Sequence, residues 1–361
     1  MAFICVDVLS FFFLFLSSVY SCSQPSCIFA LNNSVSKIPA IYAFGDSYID
    51  SGNNKFIDGA TATFNYLPYG IDFQGGRPTG RTTNGRTVVD FIAESAGLPF
   101  PPPVKSLSKD QLKSTLTGIN YGSSSSGIRR MPPHTAQIFV KVLSLKEQIK
   151  LFEQTTKSLK GQFETSESFA LHLSNSLFFF HTGTNDLSVY WELDEENRFP
   201  NVEKYIRYLS KEFKKKLEKI YGLGARKFVV NNVSPFGCHP VYLHSKPHST
   251  SCLEDKNRRA VLFNDLLSDI LTVLEKSLKG TTFILCDLYK LFEDVHALPE
   301  TYGFRNVVDS CCIDVAGNQT RECAPGRAPC ADRTTHAYFD PFHPSESMHK
   351  LWFQRCFKDI K

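Results

Sequence analysis

Four residues of this chain have types and settings that could do chemistry together. Ser47 stands in Gly45-Asp46-Ser47, Asn185 in Gly183-Thr184-Asn185-Asp186, and Asp340 lies three residues ahead of His343 in Asp340-Pro341-Phe342-His343. A serine hydroxyl is a poor nucleophile at neutral pH because it must shed a proton as it attacks, so it needs a neighbouring base. His343 can be that base: an imidazole with an ordinary pKa near 6.5 is mostly neutral at pH 7 and can take the proton and later return it. Asp340, on a tight turn, can reach the other ring nitrogen and fix the tautomer. Attack on an acyl carbon creates an oxyanion that needs preorganised donors. The Ser47 N–H at the start of a helix, the Asn185 side-chain amide and a glycine N–H from Gly122-Ser123-Ser124-Ser125-Ser126-Gly127 can supply them. This is acyl transfer through a covalent serine intermediate, and it requires no metal or organic cofactor.

These residues must be brought together by elements far apart in the chain. Ile41 to Phe44 reads as a short apolar strand stopping at Gly45, Gly118 to Tyr121 as another, and Ser176 to His181 as a third closed by Gly183. Val202 to Tyr221 repeats apolar residues at Tyr205, Leu209, Phe213 and Leu217, one helical face ended by Gly222 and Gly224. Phe228 to Val230 and Phe283 to Cys286 resume strand character, Val261 to Leu278 is helical, and His343 to Phe357 reads as the last helix. Strands apolar on both faces and separated by helices predict a parallel sheet in one α/β domain spanning about residues 40–361. In such sheets ligands bind beyond the carboxyl ends of the strands, where Ser47 and Asn185 fall.

Composition narrows the function further. Lys and Arg number 40 against 36 Asp and Glu, a net charge of only +4, and the charges alternate in sign. That pattern argues against nucleic-acid binding. With 42% hydrophobic and 21% charged residues the chain is globular, not disordered and not a multi-span membrane protein. Residues 1–22 look like a secretory signal peptide, with an apolar core at Ser10 to Leu16 too short to span a membrane and small residues at Ser21 and Ser23, although Asp7 stands where basic residues are usual. The expectation is therefore a secreted, extracellular protein without a stable membrane anchor.

The 11 cysteines fit that compartment as disulfides, and Cys238 with Cys252 bounds a plausible bridged loop. Cys311, Cys312, Cys323 and Cys330 could offer four thiolates to zinc, but paired C-x-x-C knuckles are absent, so the expectation is no metal. Sequons at Asn32, Asn232 and Asn318 suit a secreted glycoprotein, with Asn232 following a buried strand.

Taken together, Phe44 to Asn54, Asn120 to Gly127, Gly183 to Asp186 and Asp340 to Pro344 resemble the four sequence blocks of the plant branch of the GDSL-type esterase/lipase family, within the SGNH hydrolases. Arg77-Pro78-Thr79-Gly80-Arg81, Asn84-Gly85-Arg86, Ser234 to Pro240 and the Cys311-Cys312 pair add to the likeness, which runs from about Ala40 to the C-terminus. The resemblance implies a flavodoxin-like three-layer α/β/α sandwich with a central parallel sheet of about five strands. It implies Ser47 as nucleophile, Asp340 and His343 as the rest of the triad, and Ser47 N–H, Gly127 N–H and Asn185 as the oxyanion hole, with Gly122 the alternative to Gly127. The activity implied is carboxylester hydrolysis; small-molecule, lipid and acetylated-polysaccharide esters are all open as substrates.

The same residues would serve acyl transfer to an alcohol, and the same fold could persist as a silent binding or defence protein, which the intact Ser47, Asn185, Asp340 and His343 argue against. Asp46 reads as a structural residue holding the turn after the first strand. Arg77, Arg81 and Arg86 read as a loop held by arginine hydrogen bonds rather than an anion site. His239, His244 and His248 lie in a Pro/Ser-rich loop that lacks the carboxylates of a metal centre.

Overall fold

Along Ile41–Gly45 (β1) and Leu177–His181 (β3) every side chain is buried, and alternate residues point to opposite faces. Tyr42, Phe44, Phe178 and Phe180 enter one apolar cluster; Ile41, Ala43, Leu177 and Phe179 enter another. A strand that is apolar on both faces can be buried only at the centre of a sheet covered on both sides. The computed structural model, which describes residues 38–130, 141–191, 199–244, 251–316 and 319–357, has that arrangement.

Five parallel strands pair in the order β2-β1-β3-β4-β5, where β2 is Gly118–Asn120, β4 Lys227–Asn231 and β5 Thr282–Cys286. The first face is covered by α2 (Leu145–Leu159), α3 (Ser166–Asn175), α4 (Val202–Gly222) and α5 (Glu254–Ser277). The opposite face is covered by α1 (Val88–Ser95), α6 (Leu288–Ala297) and α7 (Glu346–Cys356). This is the expected three-layer α/β/α sandwich. Phe44 stacks on Phe180 with centroids 5.0 Å apart and meets Phe152 edge-on at 5.6 Å. Truncating one such core phenylalanine to alanine typically costs about 3–5 kcal/mol.

Strand order fixes where a site can form. From β1 the chain steps outward to β2, then crosses back to place β3 on the other side of β1. The connections leaving β1 and β3 therefore diverge and open a crevice at their carboxyl ends, the topological switch point of a doubly wound sheet. Ser47 follows β1 and Asn185 follows β3.

Two elements start elsewhere than their hydrophobic period suggests. α5 begins at Glu254 rather than Val261, because its first turns are polar yet anchored: the Gly237 N–H donates to Asn257 Oδ1 at 2.8 Å, and the Cys238–Cys252 disulfide closes the preceding loop. The last helix begins at Glu346, not His343. Asp340 Oδ1 accepts the N–H groups of both Phe342 and His343 at 2.8 Å, and Pro344 restrains the residue before it. Ser345 then caps the helix by accepting the Met348 N–H. Two small sheets lie outside the main one: Asn306–Ser310 (β6) with His336–Tyr338 (β9), and Asp314–Ala316 (β7) with Gln319–Arg321 (β8). The expected leader over residues 1–22 and the Asn32 and Asn318 sequons lie outside the described residues.

Candidate active site

β1 must end at a glycine. Gly45 has φ +153°, and a Cβ there would overlap the His181 carbonyl oxygen of β3. The next residues form one helical turn and stop, so Ser47 sits in a tight turn rather than at the start of a helix as expected. Asp50 ends that turn: its Oδ1 takes the N–H groups of Gly52 and Asn53, both at 2.7 Å. Its Oδ2 takes the N–H of Ser124 at 2.9 Å, tying this turn to the Gly122–Gly127 segment. Asn53 Nδ2 donates to the carbonyls of Asn120 and Gly122, and Asn120 Nδ2 donates back to the Ile49 carbonyl. Two blocks about 70 residues apart in the chain are thus one hydrogen-bonded unit.

Ser47 Oγ lies 3.0 Å from His343 Nε2, and His343 Nδ1 lies 2.7 and 2.8 Å from the two carboxylate oxygens of Asp340. All three side chains are buried; Ser47 retains 8% exposure and His343 6%, enough to leave a reacting edge. Burial pushes the His343 pKa down, but the adjacent Asp340 charge and its hydrogen bond outweigh this, with Glu322 and Asp46 acting in the same direction, so the net shift is upward. His239 and His349, buried without a carboxylate partner of that kind, are both pushed down to about 3 and stay neutral.

Among the oxyanion candidates, Asn185 lies against the Gly122–Gly127 segment. Asn185 Nδ2 donates one hydrogen to the Ser126 carbonyl at 2.8 Å, which leaves its second hydrogen for another acceptor. The N–H groups of Ser47 and Gly127 donate to no group among the described residues, whereas the Gly122 N–H is spent on Asn120 Oδ1 at 2.8 Å. Of the two glycines left open by sequence, Gly127 is the one whose N–H has no partner among the described residues. Ser125, with φ +65°, makes the turn that presents it. Asp186 holds the next peptides by accepting the N–H groups of Ile128 and Arg129 at 2.8 and 3.1 Å. Burial raises the Asp186 pKa to about 6 despite those bonds.

The remaining candidates fall where their chemistry is structural. Asp46 Oδ1 caps the turn through the Tyr48 N–H and pairs with His181 Nδ1 at 2.9 Å. Arg81 forms a buried bidentate pair with Asp90, and Arg86 binds Glu346 and Glu94, while Arg77 is exposed. Between the two arginines, Thr82 Oγ1 donates to the Ser47 carbonyl at 2.8 Å, so this loop steadies the serine from behind. Trp191 packs on Tyr205, and His244 pairs with Asp309; His248 lies outside the described residues. The four sulfurs of Cys311, Cys312, Cys323 and Cys330 form the disulfides Cys311–Cys330 and Cys312–Cys323. Among the described residues the one cluster of metal-type ligands is Cys311, Cys330 and His336, and its thiols are spent in that bridge.

Three residues that the sequence reading gave no role serve this site. Tyr69 OH donates to Asp340 Oδ2 at 2.6 Å. Gln148 of α2 accepts the Gly45 N–H at 2.9 Å and donates to the Gly45 carbonyl and to Ser126 Oγ. Tyr48 stacks on His181 and donates to the Phe342 carbonyl at 3.2 Å, next to His343. Gln148 carries a signal in hindsight, being a polar residue on the buried face of an amphipathic helix; the tyrosines carry none.

Comparison with known proteins agrees with this geometry. The family model described as GDSL-like Lipase/Acylhydrolase matches residues 41–356. Similar proteins from Arabidopsis thaliana include GDSL esterase/lipase At1g71691, 34% identical over 93% of this chain and 85% of its own length. GDSL esterase/lipase At5g55050 is 33% identical over 94% and 90%, and GDSL esterase/lipase 7 is 34% identical over 87% and 86%. A match across nearly the whole α/β/α sandwich, site included, leads to one conclusion: the chain belongs to the GDSL-like lipase/acylhydrolase family and is a hydrolase of ester bonds.

Proposed function

We propose that this protein is a secreted serine carboxylester hydrolase, a single unit over residues 40–361, that works through an acyl-enzyme on Ser47. The observation that carries the reading is the unbroken chain from Ser47 Oγ through His343 to Asp340, with contacts of 3.0 and 2.7 Å. In the first half-reaction His343 Nε2 takes the hydroxyl proton as Ser47 Oγ attacks the acyl carbon, then returns it to the departing alkoxide. In the second, the same nitrogen takes a proton from water, the hydroxide attacks the acyl-serine, and the proton goes back to Ser47. Asp340 holds the Nδ1–H tautomer and stabilises the imidazolium. The free N–H groups of Ser47 and Gly127 and the second Asn185 amide hydrogen receive the oxyanion, each such donor being worth about 3–4 kcal/mol in the transition state.

Secretion is supported by the four disulfides found among the described residues, a bonding state that reducing compartments do not sustain. No helix among the described residues is long and apolar enough to cross a membrane. The Asn232 sequon is a poor glycan acceptor in the folded chain, since its amide donates to Asp287 and its carbonyl accepts the Tyr289 N–H. Ser47→Ala should abolish hydrolysis of 4-nitrophenyl acetate and labelling by a fluorophosphonate probe while the protein melts as wild type. Retained turnover in that variant would reject the serine mechanism.

A further inference from the structure

A carboxylate that serves a catalytic imidazole has about four lone-pair sites to satisfy, and those that are buried must find donors. Asp340 is fully buried. Its Oδ1 is served locally by the Phe342 and His343 N–H groups, both within its own turn. Its Oδ2, which also meets His343 Nδ1 at 2.7 Å, is served from elsewhere by the hydroxyl of Tyr69, 271 residues earlier in the chain, at 2.6 Å. That length is typical of a charge-assisted O–H···O⁻ bond.

Tyr69 is itself completely buried, and its oxygen accepts the Cys323 N–H at 3.2 Å. Cys323 is bridged to Cys312, whose N–H donates to the carbonyl of Phe339, the residue before Asp340, at 2.7 Å. The ring is gripped edge-on by Phe64, Tyr66 and Phe339. Donor and acceptor are therefore tied to one cluster, and among the described residues the hydroxyl has one acceptor to point at.

We propose that Tyr69 is a positioning residue for ester hydrolysis: its hydroxyl, oriented by the Cys323 N–H, fixes the rotation of the Asp340 carboxylate and draws off part of the charge that this carboxylate presents to the His343 imidazolium. The inference rests on the triad reading above. Burial and the Asp340 charge together hold the Tyr69 phenol well above its ordinary pKa, so it stays a donor throughout the working range. The other titratable groups around the pair are Glu322 and Asp46, which favour the imidazolium, with His239, His349, Tyr48 and Tyr66. None of these donates to Asp340 Oδ2.

The readout is the acid limb of kcat/KM for 4-nitrophenyl acetate, which reports the free enzyme's base. Tyr69→Phe returns the shared charge to Asp340, so the limb should move to higher pH by about half a unit or more. kcat on the plateau should fall about tenfold with KM unchanged. Replacing Tyr69 by 3,5-difluorotyrosine keeps the hydroxyl and the shape but strengthens the donor, so the limb should move the opposite way. A role confined to folding would lower the fraction of enzyme titrated by fluorophosphonate without moving the limb in either protein, and that result overturns the proposal. If Tyr69→Phe is not recovered folded, the difluorotyrosine protein decides alone. Asp340→Asn in the same assay separates the two levels. Near-wild-type turnover there would remove the triad itself, whereas a dead Asp340→Asn beside unmoved Tyr69 variants would overturn only the tyrosine's part.

Discussion

Gln148→Met tests how the site is held from behind. The substitution keeps the side chain's length and approximate volume, so no cavity is opened and the loss is polar. Gln148 is completely buried on α2 and makes four contacts: it accepts the Gly45 N–H at 2.9 Å and donates to the Gly45 carbonyl at 2.8 Å, to Ser126 Oγ at 3.1 Å and to the Leu143 carbonyl at 2.8 Å. The variant does not strand all of them. The Gly45 carbonyl keeps the Ser123 N–H at 3.0 Å and the Ser126 hydroxyl at 2.9 Å, and Leu143 is only half-buried, within reach of water. The Gly45 N–H is left with nothing. One orphaned buried donor at about 1–3 kcal/mol, plus roughly 1 kcal/mol for the other lost bonds, gives a destabilisation of about 2–4 kcal/mol. Urea unfolding at equilibrium with the disulfides intact measures it. Gly45 precedes the nucleophile's turn and Ser126 precedes Gly127, so kcat should fall at least about tenfold through misplacement alone. A variant within about 1 kcal/mol of wild type and within twofold in kcat would refute the idea that this amide fixes the two halves of the site.

Asn185→Ala should lower kcat by about 10²- to 10³-fold with little change in KM, and a loss under about fivefold would take Asn185 out of the oxyanion hole. Because His343 must be neutral to act and its pKa is raised above 6.5, kcat/KM should fall on acidification through a midpoint above 6.5, and a flat profile from pH 5 to 8 would contradict its role as base. Asp186 has its folded pKa raised to about 6, so its favourable contribution is present below about pH 3.8 and lost as pH rises through 6. The stability gap between wild type and Asp186→Asn, followed by urea unfolding from pH 3.5 to 7, should therefore move toward the variant by roughly 3 kcal/mol; no movement would show that the carboxyl titrates normally.

What the sequence makes legible here is what local spacing can carry. Asp340 and His343 are three residues apart and close on each other through their own turn. Ser47 and Asn185 follow apolar strands whose order places them at one crevice. Two of the three loop arginines hold the loop as expected, Arg81 because it finds Asp90 nine residues on and Arg86 through Glu346, while Arg77 is exposed. Partners brought in from a distance leave no such trace. Tyr69 reaches Asp340 across 271 residues, Gln148 reaches Gly45 across 103, and His181 reaches Asp46 across 135. Helix starts fail for a related reason: periodicity sees the apolar face, and the first turns of α5 and the turn before α7 are fixed by polar contacts instead. Residue type does not separate Gly122 from Gly127, since both lack a Cβ. What distinguishes them is Asn120, whose Oδ1 takes the Gly122 N–H, and this is why Gly127 is the glycine in the proposed oxyanion hole.

The strand ends pack several imidazoles into one buried neighbourhood, and the proposed mechanism asks that only one of them, His343, act as the base. Tyr48 sits at its centre, stacked on His181 at 4.8 Å, within 6.1 Å of His343 and 6.4 Å of His349 by ring centroids, and hydrogen-bonded to His239 at 3.0 Å. Burial drives an imidazole toward neutrality, the leading cause at His239 and His349, where neighbouring imidazoles add to it. His343 is as deeply placed, and burial pushes it down too, yet its pKa moves the other way because the Asp340 carboxylate lies against its Nδ1, with Glu322 and Asp46 adding to the effect. The selection is made by the partner and not by the depth. That is why the turn Asp340–His343, short enough to be read from sequence, needs Tyr69, Tyr48 and the Cys312–Cys323 bridge around it: a carboxylate free to rotate would leave its imidazole no different from the silent ones beside it.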